Sequence, residues 1–189
     1  MAYTDKNKLR VVYGDYTLGV HGEGFDYIFS YSQGGLESIV KKGYEWLYRC
    51  PKPTFWRALT DNDRGSRFHI KSGSWLASDM FIDCKKTEVI MDGERQKQYA
   101  PDNNIYGGDV SAGEIIVKYT YETVGNPVTT VIVSYTIDVI GNIKVDVDYT
   151  GVKGLPELPV FGMRFIMPTL ADKYMNKGLS GETYPDRKA

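Results

Sequence analysis

The sequence predicts an all-β fold, an antiparallel β-sandwich, and two observations carry most of that expectation. Aromatic and β-branched residues come in short runs separated by glycine-rich turns, with 20 Gly and 15 Tyr among 189 residues. That composition suits strands. The clearest runs also repeat every two residues. Val131, Val133, Tyr135, Ile137 and Val139 fall on odd positions, as do Ile143, Val145, Val147 and Tyr149, with Lys144, Asp146 and Asp148 between the latter. A period of two this regular buries one face of a strand and wets the other.

Taken in order, Leu9–Tyr13 reads as the first strand. The segment from Phe25 to Tyr31 alternates, with Phe25, Tyr27, Phe29 and Tyr31 on one face. Gln33-Gly34-Gly35 turns the chain into a strand over Leu36–Ile39, and Lys42-Gly43 turns it again into Trp46-Leu47-Tyr48. This is a meander of short antiparallel strands. Helical spacing occurs around Ile70–Phe81, where Trp75, Leu76 and Met80 share a face. The stretch 91–112 is rich in turn residues, and 114–122 is a strand joined through Gly125-Asn126-Pro127 to the strong hairpin.

Parity limits the loop of that hairpin. A two-residue Gly141-Asn142 turn would place Lys144 opposite Val139 on the apolar face. A three-residue loop, Ile140-Gly141-Asn142, pairs Val139 with Ile143 and Ile137 with Val145, and asks Asn142 for a left-handed conformation. Good cross-strand pairs add roughly 0.2–1 kcal/mol each, which favours the longer loop. Phe161, Met163, Phe165 and Met167 then share a face between Pro159 and Pro168. The expectation is about nine or more strands in one domain over residues 1–189, with a polar interruption at 50–74. Loops of that length in a compact domain are functional or disordered.

Composition excludes several classes of function. Lys and Arg total 23 against 24 Asp and Glu, so the basic excess expected of a nucleic-acid binder is missing. No apolar run approaches the ~18–20 residues of a membrane helix, and Met1–Lys6 lacks the apolar core of a signal peptide. Cys50 and Cys84 form no CxxC or Cys/His cluster, which argues against structural zinc or a disulfide framework. Two free thiols without a signal peptide imply a reducing, cytoplasmic location.

The polar interruption holds the densest polar cluster, Phe55-Trp56-Arg57-Ala58-Leu59-Thr60-Asp61-Asn62-Asp63-Arg64-Gly65-Ser66-Arg67. Asp61-x-Asp63 opens like a calcium loop, but the sixth and twelfth places hold Ser66 and Ser72 where Gly and Glu are needed. The plainer reading is an Asx-rich turn with Arg57 paired to one carboxylate. His21 and His69 are the two histidines, and no Gly-x-Ser-x-Gly elbow occurs, so nucleophilic catalysis finds little support. Near the C-terminus, Glu182, Asp186 and Arg187 are spaced for an ion-pair network, with Tyr184-Pro185 fixing the backbone between them.

These clusters resemble those of bacterial β-galactosidases of glycoside hydrolase family 2. Trp56–Gly65 is similar to their W-R-A-P-T-D-N-D-x-G segment, Glu182–Arg187 to E-N-Y-P-D-R, and Leu158-Pro159-Val160-Phe161-Gly162 to the L-P-R-x-G strand entry between them. Order and spacing agree over nearly the whole chain. Leu59, Val160 and Thr183 stand where the family has Pro, Arg and Asn, and the Gly178–Glu182 stretch lacks a family proline. The resemblance is to the family's C-terminal domain, a large antiparallel supersandwich similar to galactose mutarotase, which in some bacteria is a separate small chain. The family domain continues roughly a hundred residues past the Tyr-Pro-Asp-Arg motif, so the resemblance implies a sandwich incomplete at its C-terminus. Unpaired strand edges in such a fragment favour self-association.

The resemblance also implies a division of labour. Members are retaining glycosidases whose nucleophile and acid are glutamates of the large chain, so no catalytic residue is expected here. The same applies to cofactors and metals: none is expected on this chain, and any Mg or Na belongs to the large chain. The expected partners are that large chain and a galactoside. In the family, the loop after Asp-Asn-Asp-x-Gly is a mobile flap at the sugar pocket. This maps Gly65 as its hinge, Ser66, Arg67 and Phe68 as its start, and Arg57, Asp61, Asn62 and Asp63 as its supports. Trp56 is a candidate for stacking on sugar or for the core, and Glu182, Tyr184, Asp186 and Arg187 form a structural motif. The rival reading is a stand-alone sugar-binding or aldose-epimerase-like module, which needs its own acid and base.

Overall fold

A computed structural model describes residues 7–96, 110–125, 127–173 and 175. One sheet is built around an antiparallel meander. Strands β1 (Leu9–Tyr13), β2 (Thr17–Gly22), β3 (Phe25–Ser30), β4 (Gly35–Lys41) and β5 (Tyr44–Glu45) pair in succession. Next come β6 (Arg49–Thr54), two short helices α1 (Asp61–Gly65) and α2 (Phe68–Lys71), and a 3₁₀ turn at Gly73–Trp75. The chain continues through β7 (Asp83–Met91), β8 (Glu94–Arg95), β9 (Val110–Ala112), β10 (Glu114–Glu122), β11 (Thr130–Asp138), β12 (Ile143–Thr150) and β13 (Gly162–Ile166). A six-stranded sheet runs β5-β4-β3-β2-β1-β9, a five-stranded sheet β12-β11-β10-β7-β8, and β13 pairs with β6. The all-β sandwich expected from the alternation is the fold observed.

The core lies between the two larger sheets because alternate residues of each point inward. Leu9, Val11, Leu18, Val20, Tyr27 and Phe29 come from one sheet, and Val117, Tyr119, Tyr121, Val131, Val133 and Tyr135 from the other, all essentially inaccessible. Three of the four fully buried tyrosines find backbone acceptors in the opposite sheet or its loops, which offsets the cost of burying a hydroxyl. Tyr119 Oη donates to the carbonyls of Ser30 at 3.2 Å and Gly35 at 3.3 Å, and Tyr121 Oη donates to that of Gly34. Tyr27 Oη donates to Gly141 O at 2.6 Å.

The Gly34-Gly35 step is where the sheets meet the small β6–β13 pair. Gly34 has φ +60°, and a Cβ on Gly35 would sit 2.3 Å from Cys50 Sγ. Glycine is therefore demanded twice, once by backbone angle and once by close approach.

Four local expectations need correction. The hairpin keeps the predicted parity, but Ile137 pairs with Ile143 and Tyr135 with Val145, two residues out from the expected register. The cause is Asp138. Its carboxylate accepts from Ile140 N at 3.0 Å and Asn142 N at 2.9 Å, closing an Asx-organised loop with Gly141, not Asn142, left-handed. The helix expected over Ile70–Phe81 is instead a broken series of turns. Ala77 at φ +62° cannot continue a right-handed helix, and Leu76 and Met80 are exposed while Trp75 is buried. Trp46-Leu47-Tyr48 is a link, with strands β5 and β6 on either side. On β13, a register shift between Arg164 and Ile166 breaks the alternation, leaving Phe165 and Met167 exposed.

Candidate functional site

The polar cluster folds into a clamped turn between β6 and α2. Thr60 is the N-cap of α1: its hydroxyl accepts from Asp63 N at 3.2 Å, and Asp63 Oδ2 accepts from Thr60 N at 2.8 Å. This reciprocal box satisfies two backbone donors that a helix start otherwise leaves orphaned. Arg57, just after β6, closes the clamp from outside. Its guanidinium forks onto Asp63, Nη1 to Oδ2 at 2.5 Å and Nη2 to Oδ1 at 3.0 Å. Its remaining donors reach Ala58 O at 3.0 Å and, across the fold, Pro159 O at 3.2 Å. The Arg57 pairing and the Thr60 amide hold the Asp63 carboxyl well below the usual carboxylate range.

Asp63 is the buried member of the cluster, while Asp61 and Asn62 face solvent. Asp61 pairs with Arg64 at 2.7 Å along the exposed side of α1, and Asn62 serves through its backbone, its carbonyl accepting from Ser66 Oγ at 2.9 Å. Gly65 ends α1 with an ordinary helical backbone, and a Cβ there would meet open space. The left-handed residue of this stretch is Arg67, φ 57°. Ser66 and Arg67 are exposed and Phe68 is half-buried. The structure thus brings Arg57, Thr60 and Asp63 into one knot, with Ser66 Oγ tied back to the Asp63 carbonyl at 3.3 Å, and leaves Gly65 and Arg67 outside it.

Trp56 is half-buried and packs against the main core. Its neighbour Phe55 is fully buried and centres an aromatic cluster, stacked on Trp75 at 5.6 Å and close to Phe161 at 5.9 Å and Tyr149 at 6.4 Å. Glu182, Tyr184, Asp186 and Arg187 lie outside the described residues. His21 is paired with Asp26 at 2.6 Å on the surface of β2–β3. Among the described residues, no three of His, Cys, Asp and Glu gather to hold a metal ion, and no helix is long and apolar enough to cross a membrane.

Sequence reasoning does not single out Thr60 or Trp75 as site residues. Thr60-x-x-Asp63 does have capping-box spacing, with Asp in place of Glu, so that signal was readable. Nothing local marks Trp75, whose partners Phe55, Tyr149 and Pro156 are all distant in sequence.

Comparison with known proteins is consistent with this geometry. The family model described as "Beta galactosidase small chain" matches residues 21–189. The chain is 57% identical over its whole length to a protein of Latilactobacillus sakei named "Beta-galactosidase small subunit", of which it covers 59%. It is 34% identical over 98% of its length to a "Beta-galactosidase" of Clostridium acetobutylicum, covering 19% of that protein. A "Beta-galactosidase" of Lactobacillus delbrueckii subsp. bulgaricus is 32% identical over 94% of the chain, which covers 16% of it. The chain therefore spans about three fifths of the small subunit it matches and less than a fifth of the two longer enzymes. On the span of the family match and the 57% identity, the chain belongs to the β-galactosidase small-chain family.

Proposed function

We propose that this chain works as part of the small subunit of a bacterial β-galactosidase of glycoside hydrolase family 2. It completes the galactoside pocket of a large chain that carries the nucleophile and the acid of a retaining mechanism. Lactose-type terminal β-galactosides are the substrate class, the cytoplasm is the compartment, and any Mg or Na ion resides on the large chain. The observation that carries the reading is the joining of likeness along the whole of this chain to part of a small subunit with a clamped turn that projects a largely exposed segment, Arg64–Lys71. Arg57, Asp61, Asn62 and Asp63 form the base of the segment. Gly65 is its hinge, and Ser66, Arg67 and Phe68 its start. Closure of such a segment over a sugar excludes water and completes the pocket. Alone, the chain breaks no glycosidic bond.

The test mixes purified chain with a β-galactosidase large chain and follows nitrophenyl-β-galactoside hydrolysis. Activity appearing only in the mixture supports the reading, and hydrolysis by the chain alone overturns it. Polarimetry of fresh α-galactose separates the epimerase alternative. The exposed Phe165 and Met167 beside β13 also support self-association of the chain. A clean monomer in sedimentation refutes that part.

A further inference from the structure

Between the buried Asp63 and the buried Ser72, the segment Arg64–Lys71 makes its described hydrogen bonds with itself and the adjoining turn. Arg67 N donates to Arg64 O at 3.2 Å, and Ile70 N to Arg67 O at 3.1 Å. Arg64 reaches only as far as Asp61, and Ile70 stands 67% exposed. A segment that bonds only locally opens at low free-energy cost. What limits it is therefore where its two ends are held. Arg57 and Asp63 hold the first end.

The second end is held by a different set of contacts. Trp75 is 3% exposed, stacked on Phe55 with an interplanar angle of 18° and set edge-on to Tyr149. Its Nε1 donates to Pro156 O at 3.0 Å. Four residues on, the largely buried Asp79 side chain pairs with Arg164 Nη1 of β13 at 2.9 Å, and Arg164 Nη2 donates to Thr54 Oγ1 of β6 at 2.9 Å. Ser78 Oγ donates to Ser74 O at 3.1 Å, stiffening the turn between the two contacts. An indole bonded at one edge and stacked on its face, followed by a carboxylate paired to another strand, fixes both position and direction.

We infer that Trp75 and the Asp79–Arg164 pair are positioning residues: they form a second anchor that confines movement of the loop to Arg64–Lys71. Without them the movable stretch runs on to β7 at Asp83. The consequence for turnover rests on the function proposed above, but the anchoring itself does not.

Chymotrypsin reads the anchoring directly, because Leu76 and Phe81 are exposed cleavage sites between Lys71 and β7, in the stretch the anchor holds. Cleavage tracks the open population when reclosing is fast. In the chain alone, Asp79→Asn and Arg164→Gln raise the cleavage rate at these bonds about 3-fold or more, as expected for a half-buried ion pair, with an unchanged urea midpoint. Trp75→Phe, which keeps the ring stack but loses the N–H, acts in the same direction. The exchanged pair Asp79→Arg with Arg164→Asp restores protection.

In the assembled enzyme the single variants raise KM for nitrophenyl-galactoside more than they lower kcat, and the exchanged pair recovers it. Wild-type cleavage rates in all three single variants overturn the inference. So does a loss of protection matched by an equal loss of global stability. A mixture with no galactosidase activity refutes the proposed function and leaves the proteolysis result standing.

Discussion

Gly65→Ala separates a hinge from a merely structural glycine. Gly65 closes α1 with helical backbone angles, and the added methyl meets no atom within 4 Å. Alanine at such a site costs the folded state nothing sterically and restricts the unfolded chain, so the isolated chain gains about 0.4–1 kcal/mol. A second loop conformation that uses the left-handed region at this residue is penalised by roughly 1–2 kcal/mol. The first effect acts on the unfolded chain and leaves the ratio of the two folded loop states unchanged; only the second shifts it. The ratio of the two loop states therefore moves by about 1–2 kcal/mol, roughly 5- to 30-fold.

The assay pairs urea denaturation of the chain with steady-state kinetics of the assembled enzyme. The midpoint should hold or rise, while kcat and KM change together. Unchanged kinetics would sink the hinge assignment, since the methyl has nothing else to disturb. A loss of more than about 1 kcal/mol in the chain alone would mean that the helical geometry at Gly65 is wrong.

Gly141→Ala should do the reverse and destabilise the fold. Gly141 has φ +76°, and its Cβ would come 2.5 Å from the Phe25 ring, so backbone strain and overpacking together cost about 2–5 kcal/mol in urea unfolding. Burial pushes the Cys50 thiol up to about 11, and iodoacetamide at pH 7.5 should therefore label it only after unfolding. Because the folded state depresses the Asp63 carboxyl, its contribution is complete above the unfolded carboxylate value near ~4 and is lost as pH falls below it. Asp63→Asn should flatten the stability profile below about pH 5, as followed by tryptophan fluorescence between pH 2 and 7. An unchanged profile would mean that Arg57 and Asp63 are not paired in solution.

Much of the fold was legible because one sheet is built from strict alternation. The run Glu114–Glu122 is a strand at the bounds read from the sequence, and the odd-position residues of β11 are buried. Alternation fixes which face is buried but not the register, since shifting a pair by two keeps every side chain on its face. The hairpin register was settled by the Asp138 carboxylate, a local hydrogen-bonding choice to which hydrophobic pattern is blind. Strand β7 escaped notice because Cys84, Lys85, Lys86, Thr87 and Glu88 carry little apolar signal. It is recruited to the sheet by pairing along most of β10. The Arg57 ion pair was anticipated within the cluster, but its choice of Asp63 over Asp61 depends on Thr60 capping and on burial, which emerge only with the fold.

That choice decides what the cluster is able to do. Asp63 Oδ1 receives Arg57 Nη2, and Oδ2 receives both Arg57 Nη1 and the Thr60 amide. Its acceptor sites are largely committed, and its affinity for a proton is lowered by the same contacts. A general acid or base needs a pKa near the working pH and a free face toward the substrate. Asp63 offers neither, which fits the supporting role proposed for it. The charge of Arg57 is likewise spent on Asp63 and on the carbonyls of Ala58 and Pro159, which ties the base of the loop to the segment entering β13. Rigidity at the base and local bonding in Arg64–Lys71 are complementary. A loop swings reproducibly only if its ends do not; the ionised, hydrogen-bonded residues sit at the end and the exposed ones in the part proposed to move.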